Sequence, residues 1–148
     1  MAFETLHHLK TKKLGKRGFV AMKLDMSKAY DRVEWVYVLK IMDEMGFDKK
    51  WIQLIFECIS TVSYSLLVNG EPSSVIKPTR GIRQGDPLSP YLFLLCIKGL
   101  HSLLHQVATA GQIRGVSICN KGPRLTHLFF ANDSLIFCRV FMQECQKI

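Results

Sequence analysis

Two short stretches of this chain end in carboxylates that have no apolar core to pack against. Lys23-Leu24-Asp25 closes an apolar-leaning run that begins at Phe19. Far downstream, Leu128-Phe129-Phe130-Ala131-Asn132-Asp133-Ser134-Leu135-Ile136-Phe137 leads one apolar run into a polar turn and a second run out of it. That is the pattern of a β-hairpin presenting polar side chains at its tip. Carboxylates brought to one point by separate strands suit Mg²⁺, which binds through one or two carboxylates, waters and substrate phosphates. A pair of such ions would activate a hydroxyl nucleophile and hold a leaving pyrophosphate in nucleotidyl transfer. Each acid also has a plainer reading. Asp25 can cap the helix that follows it, and Asp133 can sit in the turn because Asp tolerates turn geometry. Asp31 and Glu34 read as solvated helix charges.

Between the two acidic segments lies Arg80-Gly81-Ile82-Arg83-Gln84-Gly85-Asp86-Pro87-Leu88-Ser89-Pro90. Arg80 and Arg83 are of the type that meets phosphates, and Gln84 offers amide donors and an acceptor. Gly81 and Gly85 let the backbone approach a ligand closely. The plainer reading is a polar loop followed by a capped helix.

The elements that must position these residues follow from periodicity. Phe19 to Leu24 reads as a strand that delivers Asp25. Val33 to Met45 has helical spacing, with Trp35, Val38, Met42 and Met45 on one face and Gly46 as the stop. Asp48 is placed to cap a second helix, Lys49 to Ile59. Tyr64 to Val68 and Ser74 to Lys77 flank Asn69-Gly70, a pair that accepts the positive φ angles of a tight hairpin turn. Ser89 as N-cap and Pro90 at the first helical position open a long helix to about Val107, closed by Gly111. Val116 to Cys119, Leu125 to Phe130 and Leu135 to Cys138 read as strands, and Phe3 to Lys13 as a short basic helix. The order predicts an α+β fold, with helices packed on one face of a mostly antiparallel sheet. Such a sheet can set the first acidic strand beside the late hairpin.

With 148 residues the chain is sized for one domain. Its net charge of +8 favours polyanions such as nucleic acid or an anionic membrane surface; the plainer reading is a soluble protein that happens to be basic. Lys10, Lys12, Lys13, Lys16 and Arg17 sharpen that bias, although a solvated helix face accounts for the same cluster. The five cysteines, Cys58, Cys96, Cys119, Cys138 and Cys145, are odd in number, widely spaced and form no C-x-x-C pair. They read as buried thiols in a reducing compartment rather than a disulfide frame or zinc site. No apolar segment of signal-peptide type follows Met1. The longest apolar run, Tyr91 to Ile97, stops at Lys98 and is too short to span a bilayer. An intracellular protein, nuclear or cytoplasmic and without a membrane partner, is the expectation.

The stretches Leu24 to Trp35, Val68 to Pro90 and His127 to Arg139 resemble the reverse transcriptases of non-LTR retrotransposons, especially the plant LINE-like group, and the resemblance runs from about Gly18 to Arg139. It implies an RNA-directed DNA polymerase with a right-hand fold. Residues 1–148 would be a partial reverse transcriptase domain, mainly its palm with a short N-terminal remnant of the fingers side; the fingers would be largely absent and the thumb wholly so. The implied cofactor is Mg²⁺, as two ions in an intact family member. The implied partners are an RNA template, a DNA primer and deoxynucleoside triphosphates; no oligomeric state is implied. By the same resemblance, Asp25 and Asp133 are catalytic metal ligands. Tyr30 packs under the incoming sugar, and Arg83, Gln84 and Gly85 lie beside the incoming nucleotide. Asn132 occupies the position of the first acid of the hairpin pair, and Lys98 stands where the family usually has an acid. Asn132 removes a negative charge from the metal site, so weak or absent activity is expected. The alternative is a catalytically dead nucleic-acid-binding remnant or a non-functional pseudogene product.

Overall fold

The computed structural model describes residues 18–117, 122–130 and 133–139. The basic helix expected at Phe3 to Lys13, the Lys10 to Arg17 cluster, Cys119, Cys145 and Asn132 lie outside them. In chain order the elements are β1 (Phe19–Asp25), a 3₁₀ turn (Tyr30–Arg32), α1 (Trp35–Glu44), α2 (Lys49–Ser60), β2 (Leu67–Val68) and β3 (Glu71–Pro72). Then follow α3 (Ser89–Thr109), β4 (Val116–Ser117), β5 (Arg124–Leu125), β6 (His127–Phe130) and β7 (Asp133–Arg139). This is a mixture of helix and wholly antiparallel sheet among the described residues. The chain divides into two compact units, Met1–Ser27 with Leu100–Ile148, and Lys28–Gly99.

The first unit is built on a three-stranded sheet of order β1-β7-β6. Its central strand β7 is buried at Ser134, Ile136, Phe137 and Cys138, while Asp133, Leu135 and Arg139 are half-buried. The apolar residues that predicted a strand at Leu135 to Cys138 thus form the root of a longer one. The single strand expected over Leu125 to Phe130 is two. β5 pairs with β4, β6 pairs with β7, and Thr126 between them accepts the Phe137 N–H at 2.7 Å. One run of residues serves two partners, which periodicity alone does not reveal.

The second unit holds α1, α2, the β2–β3 hairpin and the first half of α3. Val38 and Met42 are buried on α1 and Ile55 and Ile59 on α2, each pair four residues apart and so on one face. Met45, expected on the α1 face, is instead the C-cap and half exposed. Asp48 does cap α2, accepting the Lys50 N–H at 2.8 Å. In the hairpin, Asn69 and Gly70 both take positive φ, 54° and 87°, the signature of a two-residue mirror-image turn. That turn fixes the register Val68↔Glu71, so the second strand is Glu71–Pro72; the expected Ser74 to Lys77 contributes one bridge, Tyr64↔Ile76. Tyr37 Oη, on α1, donates to the Cys96 carbonyl of α3 at 3.2 Å.

Helix α3 begins at Ser89, one position earlier than a Ser89 N-cap implies. Its 21 residues, at mean hydropathy 1.3 over the best window, make it long and apolar enough to cross a membrane by length and composition. The run Tyr91 to Ile97 is itself short, but the helix carries its apolar character past the single Lys98. The core helix of a soluble domain passes the same test, and Leu92, Phe93, Cys96 and Gly99 are buried here.

Candidate functional site

The β1–β7 ladder places Asp25 directly opposite Asp133. Opposed residues in an antiparallel pair project to the same face. Two carboxylates 108 positions apart in sequence (133 less 25) therefore share one side of one sheet end. Asp25 is exposed and Asp133 half-buried. Asp25 is the last residue of β1 and not a helix cap; the following 3₁₀ turn has Ala29 at its N-cap, with no side-chain bond there. Asp133 opens β7 as a ladder member.

A third charge joins them. Lys23 lies two residues before Asp25, hence on the same face, and its Nζ is 3.0 Å from an Asp133 carboxylate oxygen. The ladder pairs Lys23 with Leu135, so the ion pair runs along the diagonal between strands. Nothing in the sequence reading singled out Lys23, although the two-residue strand period was the signal that would have done so.

The other face of the same sheet is different in kind. Met22, Ile136 and His127 align across it, as do Leu24, Ser134 and Phe129. His127 Nε2 lies 2.8 Å from His101 Nδ1 of α3, one ring N–H donating to the other ring, and His127 Nδ1 lies 2.9 Å from Thr126 Oγ1. Burial, then the nearby His101 and His105, hold the His127 pKa below the ordinary histidine value. This linkage ties the second half of α3 to β6, and it too was missed in the sequence.

Among the described residues no three His, Cys, Asp or Glu side chains come together as metal ligands. The donor set at the acidic face is two outward carboxylates, which matches an ion that keeps waters and substrate phosphates rather than a closed protein cage.

The loop residues belong to the second unit. Gly81 donates its N–H to the Val33 carbonyl at 2.7 Å, Ile82 to the Tyr30 carbonyl at 2.9 Å, and Trp35 Nε1 donates to the Gly81 carbonyl at 2.6 Å. Gly81 has φ +88°, and a Cβ there would meet the Asp31 carbonyl oxygen at 3.0 Å. On the Cβ side its close approach is to the chain itself, and Gly81 also lines the cavity that Arg83 and Gln84 wall. Tyr30 stacks on Phe93, ring centroids 4.9 Å apart and planes 17° apart. Arg83, Gln84 and Gly85 are exposed.

Arg83 and Gln84 line a cavity of about 310 Å³, with Asp31, Cys58, Arg80 and Asp86 among its other walls. The two arginines differ. Arg80 is engaged with Glu34 at 3.4 Å, whereas Arg83 makes no ion pair among the described residues. Arg83 is therefore the better placed to meet an anion. Asp31 is exposed as expected, whereas Cys58 departs from expectation. Asp31 helps wall the cavity, and Cys58 is exposed because the buried stripe of α2 runs through Ile55 and Ile59 beside it. Cys96 and Cys138 are buried as expected, and burial pushes the Cys96 thiol up to about 11.

The structure thus gathers the candidates into two groups, Asp25 with Asp133 in one unit and Tyr30 with the Arg83 to Gly85 loop in the other. The family model for reverse transcriptase (RNA-dependent DNA polymerase) matches residues 1–148. An uncharacterized mitochondrial protein of Arabidopsis thaliana is 46% identical over 68 residues, 46% of this chain and 56% of that protein. A retrovirus-related Pol polyprotein from a type-1 retrotransposable element R2 of Popillia japonica is 28% identical over 130 residues, 88% of this chain and 20% of the polyprotein. The corresponding polyprotein from the type-2 element R2DM of Drosophila melanogaster is 30% identical over 119 residues, 80% of this chain and 10% of its own length. The chain thus spans about half of the first of these relatives and a fifth or less of the two polyproteins.

Proposed function

The chain belongs to the reverse transcriptase (RNA-dependent DNA polymerase) family, and we propose on that footing that residues 1–148 are the palm region of a retrotransposon reverse transcriptase domain, descended from an RNA-directed DNA polymerase. The observation that carries this reading is the pairing of Asp25 with Asp133 on one face of the β1–β7 ladder. Asp25 and Asp133 would hold Mg²⁺, which when bound supplies activation of a primer hydroxyl and stabilisation of the leaving pyrophosphate. The ladder fixes the backbone positions of the two aspartates by hydrogen bonds, so their pairing does not depend on a loop.

The other candidate residues, all in the second unit, bind and orient substrate. Arg83 and Gln84 meet the phosphates and base-side polar groups of a nucleotide, with Gly85 leaving backbone accessible beside them. Tyr30, its ring held by Phe93, packs against the sugar and disfavours a 2′-hydroxyl. The template is RNA, the primer DNA and the substrates deoxynucleoside triphosphates. Asn132 replaces an acidic partner of Asp133 and lowers the negative charge available to the metals, so activity is weak or absent in this chain.

The test is Mg²⁺-dependent primer extension on an RNA template, comparing the chain with Asn132→Asp. Extension by Asn132→Asp at a rate on the order of 10²–10³ above the parent is the expected result, abolished when Asp25→Asn is added. Equal rates in the two folded proteins would remove Asn132 as the lesion. The net charge of +8 supports a second reading, a nucleic-acid-binding remnant without catalysis. That reading requires binding to a primer–template duplex that weakens steeply with salt and no extension by either protein.

A further inference from the structure

We propose that Lys23 is the acidic site's own counter-ion, a positioning residue that holds the Asp133 carboxylate and competes with divalent cations for it; this rests on the reading of Asp25 and Asp133 as metal ligands. Three observations carry it. Lys23, Asp25 and Asp133 project from the same face, because Asp25 opposes Asp133 and Lys23 lies one strand period before Asp25. The ammonium is 3.0 Å from the carboxylate, within hydrogen-bond distance. Both side chains remain substantially in water, 60% exposed for Lys23 and 44% for Asp133.

The last observation decides the role. A solvent-exposed ion pair is worth little in stability, so this one is not a structural rivet. It is, however, a single positive charge resting on a carboxylate that a dication would also claim. Lysine carries that charge as a hydrated point on a flexible stem, so it can leave Asp133 when a metal arrives and return when the metal goes. While it is paired, the Asp25–Asp133 end of this face carries two negative charges and one positive, half the net charge that the carboxylates alone would offer there. Lys23 therefore raises the metal concentration at which the site fills. It also keeps Asp133 directed across the strands toward β1, on the side where Asp25 stands.

Mn²⁺ is a suitable probe, because its unbound fraction is read directly by electron paramagnetic resonance without any polymerase activity. The proteins are the chain, Lys23→Met, Lys23→Gln, Asp133→Asn and the Lys23→Met/Asp133→Asn double variant, each first checked for folding by circular dichroism. Removing Lys23 by either substitution is expected to tighten Mn²⁺ binding about three- to tenfold at low salt, with the gain shrinking as ionic strength rises. The gain should be smaller in the Asp133→Asn background, where the pair is already gone. Unchanged or weaker binding in both Lys23 variants, with Asp133→Asn still impairing binding, would overturn the counter-ion role and leave the metal site standing. Binding that is absent throughout, or indifferent to Asp133→Asn, would instead remove the metal-site reading and this proposal with it.

Discussion

The two ends of strand β7 are built to opposite specifications. At the tip, Asp133 shares an outward face with Asp25 and Lys23, and Phe130 opposite Asp133 is 82% exposed. At the root, Ile136, Phe137 and Cys138 are consecutive and all buried, so the strand is covered on both faces there. A strand buried on both faces reads as a continuous apolar run, and one with a free face alternates. The same seven residues show both patterns in turn. The difference teaches how a charged site is held without a core of its own: the root fixes the register, and the register places the acids. A shift of one residue at the root would turn Asp133 to the opposite face.

The largest effect should come from breaking the root. Phe137 is completely buried, and Phe137→Ala removes its packing and leaves a cavity. A loss of about 3–5 kcal/mol is expected, read as a lower midpoint in urea denaturation. A cost below about 1 kcal/mol would show that the root does not carry the strand. The tip should respond in the opposite currency. Asp25→Asn, made in the Asn132→Asp background, keeps shape and removes one charge from an exposed position. Primer extension should fall on the order of 10²–10³ or more, while the urea midpoint stays nearly where it was. A matching loss of stability would mean that the acid is structural and that the contrast between tip and root is false.

This contrast explains what could be read from the residues beforehand. The strand before Asp25, the cap at Asp48, the Asn69-Gly70 turn and the long helix after the Arg80 to Pro90 loop were legible, because each rests on local chemistry. The convergence of Asp25 and Asp133 was legible as an antiparallel pairing but not as a register, since no local pattern says which residue opposes which. The strand period alone puts Lys23 on the face of Asp25, but its partner Asp133 lies in another strand, and only the ladder makes the two neighbours. The crowding at Gly81 was not legible, because it comes from Asp31, a contact fifty positions back (81 less 31). Cys58 is exposed rather than buried because, of this apolar stretch, only Ile55 and Ile59 are buried.

A smaller effect is expected from pH, and it should be felt by the covered face alone. Burial and the neighbouring His101 and His105 depress the His127 pKa in the folded chain. The unfolded chain then takes up protons more readily than the folded one as pH falls. Stability is therefore full above the ordinary histidine pKa of about 6.5, and is lost as pH drops through the lower folded value. The His101–His127 hydrogen bond adds to this, because two imidazolium rings cannot donate to each other. Urea midpoints measured between neutral and mildly acidic pH should fall in the parent and fall less in His127→Gln. An equal fall in both would place the acid sensitivity elsewhere.

The smallest change expected is a gain. Ser134 follows Asp133 but projects to the covered face, where it is 2% exposed and its hydroxyl has no hydrogen-bond partner among the described residues. A buried, unpaired hydroxyl carries a desolvation cost of about 1–3 kcal/mol, while the matching loss of volume in Ser134→Ala is one oxygen atom. Ser134→Ala should therefore stabilise the chain by about 1 kcal/mol, although most substitutions at buried positions destabilise. Alternation also directs this change away from Asp133 and Asp25, so Mn²⁺ binding at the tip should not move. A loss of stability would show that the hydroxyl is bonded. A change in Mn²⁺ affinity would show that the two faces of β7 communicate at the tip, so that the acids depend on their covered side as well as on the register set at the root.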